Sequence, residues 1–229
     1  MTLPDFLIIG VQKAGTVAAA KNLSLHPDIY CDSKELHFFD EHWKQLGWYK
    51  RQIQRRAKRR PRAELIGEKT PSYIMYPDRM AEVVPNARLV LLLRNPVERA
   101  ISRWCSARSD RINRPDALDL MHRDMVGDWD KLLTRGIYYK QVRRLFHFFD
   151  RQRVCICISE RVQENMAGEY GRIMGFLGVD PVQAEFMPHH ETSAKIRPRQ
   201  ETVDFLKDWF WQSNYALFEM LGWEVPEWE

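Results

Sequence analysis

No stretch of the 229-residue chain approaches the roughly 18 consecutive apolar residues of a membrane-spanning helix, so no membrane span is expected. The opening MTLPDFLIIG has no basic segment ahead of its short apolar run, and that run ends in a glycine turn rather than a cleavage site. It reads as the first strand of a fold, and the chain is expected to be cytoplasmic. Cysteine is scarce: Cys31, Cys105, Cys155 and Cys157 show no metal-type spacing and are expected to be free, buried thiols. The pair His189–His190 has no companion ligands nearby, so no metal site is expected. Repeats and low-complexity linkers are missing too, which favours one domain over residues 1–229. Acidic residues are absent from one place in particular. Lys50–Arg62, KRQIQRRAKRRPR, holds eight cations and no carboxylate, although the whole chain is only +4, so the basicity is local. The run reads equally well as a solvated face and as a patch for a polyanionic acceptor. No aromatic-interleaved motif accompanies it, and nucleic acid is not expected as a partner.

What is present is a globular composition, 45% hydrophobic and 12% aromatic, patterned as strands that each feed a helix. FLIIGV (6–11) is a continuous apolar strand followed by a helix from about Thr16 to Leu25. PDIYC (27–31) is a short extended piece, ELIGEKT (64–70) a strand, and RMAEVV (79–84) a short helix. ARLVLLLR (87–94) is the clearest buried strand, and NPVERAISRWCSAR starts a helix with Asn95 at the N-cap and Pro96 in first position. YYKQVRRLFHFF (138–149) has helical spacing, RVCICIS (153–159) is a strand with Cys155 and Cys157 on one face, and EYGRIMGFLG (169–178) is a helix ending at a glycine. The C-terminal segment 201–222 is one helix or two. Continuous apolar strands of this kind predict an α/β domain with a central, mostly parallel sheet flanked by helices.

The stretch FLIIGVQKAGT has the grammar of a P-loop-like phosphate-binding strand–loop–helix. Loop amides and a helix N-terminus favour an anion, Gly10 and Gly15 let the chain turn tightly, Lys13 adds charge and Thr16 a hydroxyl. The lysine sits two residues before the second glycine, not after it as in the Walker pattern. A kinase using ATP and Mg²⁺ would also need an acidic residue at a neighbouring strand end. RLVLLLR delivers Arg94 instead, with Ser102 following on the next helix, a pairing suited to gripping phosphate directly. A P-loop kinase using ATP and Mg²⁺ and a non-catalytic glycan- or nucleotide-binding module stand as the alternative readings of this loop.

GVQKAGT, SLHPDIY, KELHFFD, GEKTPSY and LLLRNPVERAISRW, in that order and spacing, resemble the sulfotransferase superfamily, most of all the heparan sulfate N- and 3-O-sulfotransferase type and its bacterial relatives. The resemblance is collinear from about residue 5 to 110 and weaker beyond. It implies 3′-phosphoadenosine 5′-phosphosulfate (PAPS) as donor and adenosine 3′,5′-bisphosphate (PAP) as product, with no metal in the chemistry. It also implies transfer of a sulfuryl group to a hydroxyl or amine of a small molecule or glycan. The loop Gln12, Lys13, Ala14, Gly15, Thr16 and Val17 would hold the 5′-phosphosulfate, with Lys13 near the departing oxygen. Val17 stands where the family often has Ser, Thr or Arg, which leaves its backbone amide as donor. Arg94 and Ser102 would grip the 3′-phosphate.

Transfer to a hydroxyl calls for a base at the acceptor and positive charge around the leaving group. KELHFFD offers Glu35 and His37, which share one face if the segment is extended. The resemblance assigns the base to Glu35, with His37 as runner-up because cytosolic sulfotransferases use a histidine. It also places Lys69 of GEKTPSY near the reaction centre; a surface ion pair with Glu68 is the plainer reading of that lysine. Tyr73 is expected to pack beneath it, and Phe38 and Phe39 to form core or pocket wall. Ser193, Lys195 and Arg197 in HHETSAKIRPR match in part the basic loop that closes over the nucleotide in the heparan enzymes, without its glycine or flanking cysteines.

Overall fold

The computed structural model describes residues 3–108, 132–188 and 198–228. Its contacts divide the chain into two compact units: Met1–Leu93 with Arg144–His190, and Arg94–Arg143 with Glu191–Glu229.

The first unit holds the whole sheet. Its strands are β1 (Phe6–Gly10), β2 (Ile29–Asp32), β3 (Leu65–Lys69), β4 (Arg88–Leu93) and β5 (Val154–Ile158), in the order β2-β3-β1-β4-β5. Every pairing is parallel. Parallel neighbours require long crossovers, which is why apolar strands alternate with helices along the sequence. Side chains of a strand alternate between faces, yet all five residues of β1 are buried, so both sides of the sheet are covered. Each fully buried Leu or Ile in β1 and β4 contributes about 1.5–3 kcal/mol. The helices of this unit are α1 (Thr16–Leu23), α2 (Leu46–Ala57), α3 (Pro77–Val83), α6 (Ser159–Glu164) and α7 (Met166–Leu177). Asn165 caps α7 by accepting from the Gly168 amide at 3.0 Å, and Gly178 ends it in the left-handed region, φ 85°.

In the second unit α4 (Pro96–Arg108) starts as its sequence predicts, the Asn95 side chain accepting from the amides of Val97 (2.9 Å) and Glu98 (3.3 Å). The C-terminal segment is one helix, α8 (Gln200–Leu221), ended by Gly222. Val97, Ala100 and Trp104 of α4 join Leu132, Leu133, Leu206 and Phe210 in a core of this unit's own. Helix α5 (Tyr138–Phe148) spans the sequence boundary between the units. Among the described residues no helix is long and apolar enough to cross a membrane.

Two glycines of the sheet are there for closeness rather than for turning. A Cβ on Gly10 would stand 2.7 Å from Leu91 Cδ1 on the neighbouring strand, which corrects its reading as a turn residue. A Cβ on Gly67 would enter the ring of Phe6, itself fully buried. Gly67→Ala is therefore expected to cost about 3 kcal/mol, at the upper end for overpacking a core. Urea unfolding checks this; a loss below about 1 kcal/mol would mean that the Phe6 ring has room to retreat.

The basic run is also partly structural. Arg56 is buried, donates to the Lys34 carbonyl (2.6 Å) and stands 3.7 Å from Asp32. Arg60 donates to the carbonyls of Ser24 (2.5 Å) and Ile29 (3.1 Å), and Arg59 pairs with Asp32 at 2.8 Å. These three arginines staple α2 and its following turn to both ends of β2. Arg51, Arg55, Lys58 and Arg62 remain exposed.

Candidate active site

Parallel register brings the C-terminal ends of β2, β3 and β1 together on one edge of the sheet, with Asp32 opposite Glu68 and Lys69 opposite Ile8. Lys69 ends β3 itself, and the loops that leave β2 and β1 carry Glu35 and Lys13. In open α/β sheets this is the edge at which ligands bind.

The β1–α1 loop winds through two left-handed residues, Lys13 (φ 75°) and Gly15 (φ 83°). Gly15 is the N-cap of α1, and no side chain caps that end, so the first-turn amides are left without an intrahelical partner. A left-handed lysine costs roughly 1–2 kcal/mol, a local strain that the apolar pattern does not reveal. From the end of β5, the buried Ser159 hydroxyl donates to the Ala14 carbonyl at 3.2 Å and ties down the loop's underside.

The segment after β2 is not extended. It turns at His37, φ 52°, whose carbonyl accepts from the amides of Glu41 (2.9 Å) and His42 (3.0 Å). Histidine tolerates this region better than most residues. The turn still unites the two candidate bases: His37 Nε2 lies 3.1 Å from Glu35 Oε2, and Lys69 Nζ donates to Glu35 Oε1 at 2.6 Å. His37 Nδ1 reaches Asp40 Oδ2 at 2.9 Å, and Ser72 donates to the same oxygen at 2.5 Å. A continuous chain Lys69–Glu35–His37–Asp40–Ser72 results. Lys69 is almost fully buried, whereas Glu35 is one-third exposed and so faces both the chain and solvent.

The loop is anchored from below. Phe38 and Phe39 are fully buried, Phe38 stacked on Tyr49 (4.1 Å) and Phe39 edge-on to Tyr73 (4.7 Å). The Tyr73 hydroxyl accepts from the Phe38 amide at 2.7 Å, and Thr70 Oγ1 accepts from the Leu36 amide at 3.3 Å. Thr70 in turn donates to Glu68 (2.6 Å), which also accepts from Tyr49 (3.2 Å). Lys69 therefore pairs with Glu35 and not with Glu68, a correction to the plainer reading of GEKTPSY. Burial pushes the Glu68 carboxyl up, against the pull of Thr70, Arg56, Tyr73 and Tyr49.

Burial alone would depress His37. The Asp40 hydrogen bond and the charges of Asp40, Glu35 and Glu41 outweigh it and raise the imidazole above its ordinary 6.5. Asp40 is lowered: burial opposes its charge, but the bonds from His37 and Ser72 prevail. The protonated ring thus stabilises the loop fully below the unfolded histidine value, and that contribution is lost as pH rises through the folded value. An NMR titration is expected to place His37 above 6.5 and to move it down in Asp40→Asn. A midpoint at or below 6.5 would contradict the ion chain. His37, Asp40 and Glu41 also form the one cluster of metal-ligating atoms within 4.8 Å among the described residues, but both ring nitrogens already face carboxylates.

Arg94 and Ser102 fall in the second unit. Arg94 follows β4 directly, its guanidinium 3.8 Å from Glu98 and its carbonyl accepting from Tyr138 at 2.9 Å. Ser102 is buried on α4. Ser193, Lys195 and Arg197 lie outside the described residues. The roles of Asp40, Thr70, Ser72 and Ser159 were missed in the sequence. Only Asp40 left a local signal there, three residues after His37.

A family model described as a sulfotransferase domain matches residues 3–205. The chain belongs to the sulfotransferase domain family. It is 33% identical over 186 residues to the human heparan sulfate glucosamine 3-O-sulfotransferase 6, covering 78% of this chain and 53% of that protein. It is 32% identical over 253 residues to the human heparan sulfate glucosamine 3-O-sulfotransferase 3B1, covering 96% and 64%. This sulfotransferase-family chain thus spans between about half and two thirds of the length of those curated relatives. The crystal structure of a sulfotransferase from Alicyclobacillus acidocaldarius shares the fold over 100% of this chain and 99% of its own, with TM-score 0.83 and 23% identity. So does a retinol dehydratase in complex with retinol and PAP, TM-score 0.54 and 13% identity, covering 93% and 82%.

Proposed function

We propose that the chain is a PAPS-dependent sulfotransferase acting on a carbohydrate hydroxyl, with Glu35 as base. The observation that carries this is the Lys69–Glu35–His37 contact: a carboxylate held between a lysine ammonium and an imidazole, one-third open to solvent, on the same sheet edge as an uncapped phosphate-type loop. The loop suits a phosphosulfate: α1 lacks a side-chain cap, and Lys13 brings charge to the turn. The donor supplies an activated sulfuryl group and a phosphate leaving group. The residues of the chain do the rest.

Glu35 uses one oxygen for Lys69 and the other for His37, and a carboxylate has further lone pairs with which to take the acceptor's proton. Held in this way it does not swing, so the acceptor oxygen meets a fixed base in line with the group transferred. Lys13 and Lys69 are the cations assigned to the leaving and transferring oxygens. Arg94 and Ser102 are assigned to the 3′-phosphate that distinguishes PAPS from ATP. A kinase is disfavoured because the strand-end carboxylates Asp32 and Glu68 are already held by Arg59 and by Thr70 and Tyr49.

The relatives' names support a heparan-type glycan as acceptor, and the exposed Arg51, Arg55, Lys58 and Arg62 suit a polyanionic chain. Incubation with ³⁵S-labelled PAPS and heparan sulfate tests the reading. Label in the glycan together with PAP release is expected. Unlabelled glycan and no PAP release, with ATP and Mg²⁺ turned over in a parallel incubation, would overturn it.

A further inference from the structure

Two thiols that the sulfuryl-transfer chemistry does not use stand together on β5. Cys155 and Cys157 are free, and their sulfurs are 3.7 Å apart on the face covered by α7. Arg172 of α7 points at them, its Nη1 donating to Cys155 Sγ at 3.2 Å. That guanidinium is fixed by Glu169 (2.7 Å) and by the Ile156 carbonyl (3.0 Å). Cys155 is buried, 5% exposed, but beneath a half-exposed arginine: where a structural cysteine in a sheet is ordinarily surrounded by apolar groups, this one has a second thiol and an anchored cation at its sulfur, the charge setting that favours a thiolate. Among the described residues its strand is last in the sheet order, paired with β4.

We infer that Cys155 and Cys157, with Arg172, form an oxidisable dithiol site that reacts with hydrogen peroxide. Cys155 is the attacking sulfur. Its thiolate displaces hydroxide from peroxide, so that an S–O bond forms as the O–O bond breaks. The departing hydroxide takes up a proton and leaves as water. Cys155 has then lost two electrons to the peroxide and is a sulfenic acid. The Cys157 sulfur attacks it, the S–S bond forms, the S–O bond breaks, and the oxygen leaves with the Cys157 proton as a second water. Overall, two thiols and one hydrogen peroxide give one disulfide and two waters.

The proton inventory agrees with this division of labour. The Cys157 hydrogen bond, followed by Arg172, lowers Cys155 against its burial, while Cys157 is pushed up by its neighbour and by full burial. Cys157 attacks only after Cys155 has become electrophilic, the order a resolving thiol requires. The site has a route to the phosphate loop. Drawing the two sulfurs together bends the end of β5, and Ser159, two residues past Cys157, holds the Ala14 carbonyl at 3.2 Å. Oxidation is therefore expected to loosen the β1–α1 loop, and a thiol reductant to restore it.

The test uses the full chain, reduced and freed of reductant, then exposed to a small excess of hydrogen peroxide. Intact mass is expected to fall by the two hydrogens of one disulfide, with peptide mapping placing the link between Cys155 and Cys157. Cys157→Ser is expected to stop at a dimedone-reactive sulfenic acid on Cys155, and Arg172→Gln to react several-fold more slowly. Hydrogen exchange in the peptide spanning residues 11–17 is expected to rise on oxidation. No oxidation, or oxidation confined to Cys31 and Cys105, overturns the site; unchanged exchange in an oxidised chain overturns its link to the loop. None of these readouts depends on which group the enzyme transfers.

Discussion

Glu35→Gln is expected to lower sulfuryl transfer by roughly 10²- to 10⁴-fold, the usual range for losing a positioned base, while PAP affinity stays within about twofold. The substitution is nearly isosteric. The amide oxygen can still accept from Lys69, while its NH₂ meets a His37 nitrogen that accepts only when the ring is neutral, so the loop loses a charge and that contact weakens, but its anchors at Thr70 and Tyr73 stay. A second readout separates a lost base from a damaged loop. The Glu35 charge is one of the causes that raise His37, so the His37 titration midpoint should fall modestly, with Asp40 still holding the ring. Steady-state kinetics with PAP calorimetry check the pair of outcomes. Activity within about tenfold of the parent would remove Glu35 from the role of base.

Lys69→Met is the other large effect, expected at about 10²- to 10³-fold in kcat, the magnitude seen when a preorganised electrostatic donor is removed. Methionine keeps an unbranched stem of comparable reach and drops the ammonium. Lys69 is buried at the end of β3 and donates to the Glu35 carboxylate at 2.6 Å. Two consequences follow in different observables. The transferring group loses a cation, which appears in kcat. Glu35 loses one of its two tethers, so kcat/KM falls with kcat. PAP lacks the sulfuryl group and should bind nearly as before. Lys69→Arg is not expected to rescue, because a larger planar fork replaces a point charge at a buried site. Measured kcat values and thermal melts of both variants decide; an active Lys69→Met enzyme would leave Lys69 as a structural counter-ion of Glu35.

The sheet was legible in the sequence because it is written locally. Continuous apolar runs of five or six residues, each followed by helical spacing, are what doubly covered parallel strands require, and β1, β3, β4 and β5 fall within a residue or two of their expected bounds. The Asn95–Pro96 helix start was readable for the same reason. The site was legible in its residue types, Lys13, Glu35, His37 and Lys69, because the motifs that carry them are short and collinear. Its wiring was not. Leu36 to Thr70, Phe38 to Tyr73 and Lys69 to Glu35 join residues more than thirty positions apart, and no periodicity announces such contacts. Local spacing was of little help at His37, where the i, i+2 rule puts it beside Glu35 only if the segment is extended. The two side chains meet because of a left-handed turn instead. Arg56 and Arg60 show the same limit. Within a run of cations they look like solvent-exposed charge, and only the fold reveals the backbone carbonyls that they hold.

The central claim is that this sheet edge binds the 3′-phosphorylated adenosine donor. Calorimetric titration of the full chain with PAP, beside ATP with Mg²⁺, tests it most directly. The account predicts binding of PAP in preference to ATP–Mg²⁺, with affinity lost in Arg94→Ala and retained in Glu35→Gln. Binding of ATP–Mg²⁺ with no response to PAP would contradict it.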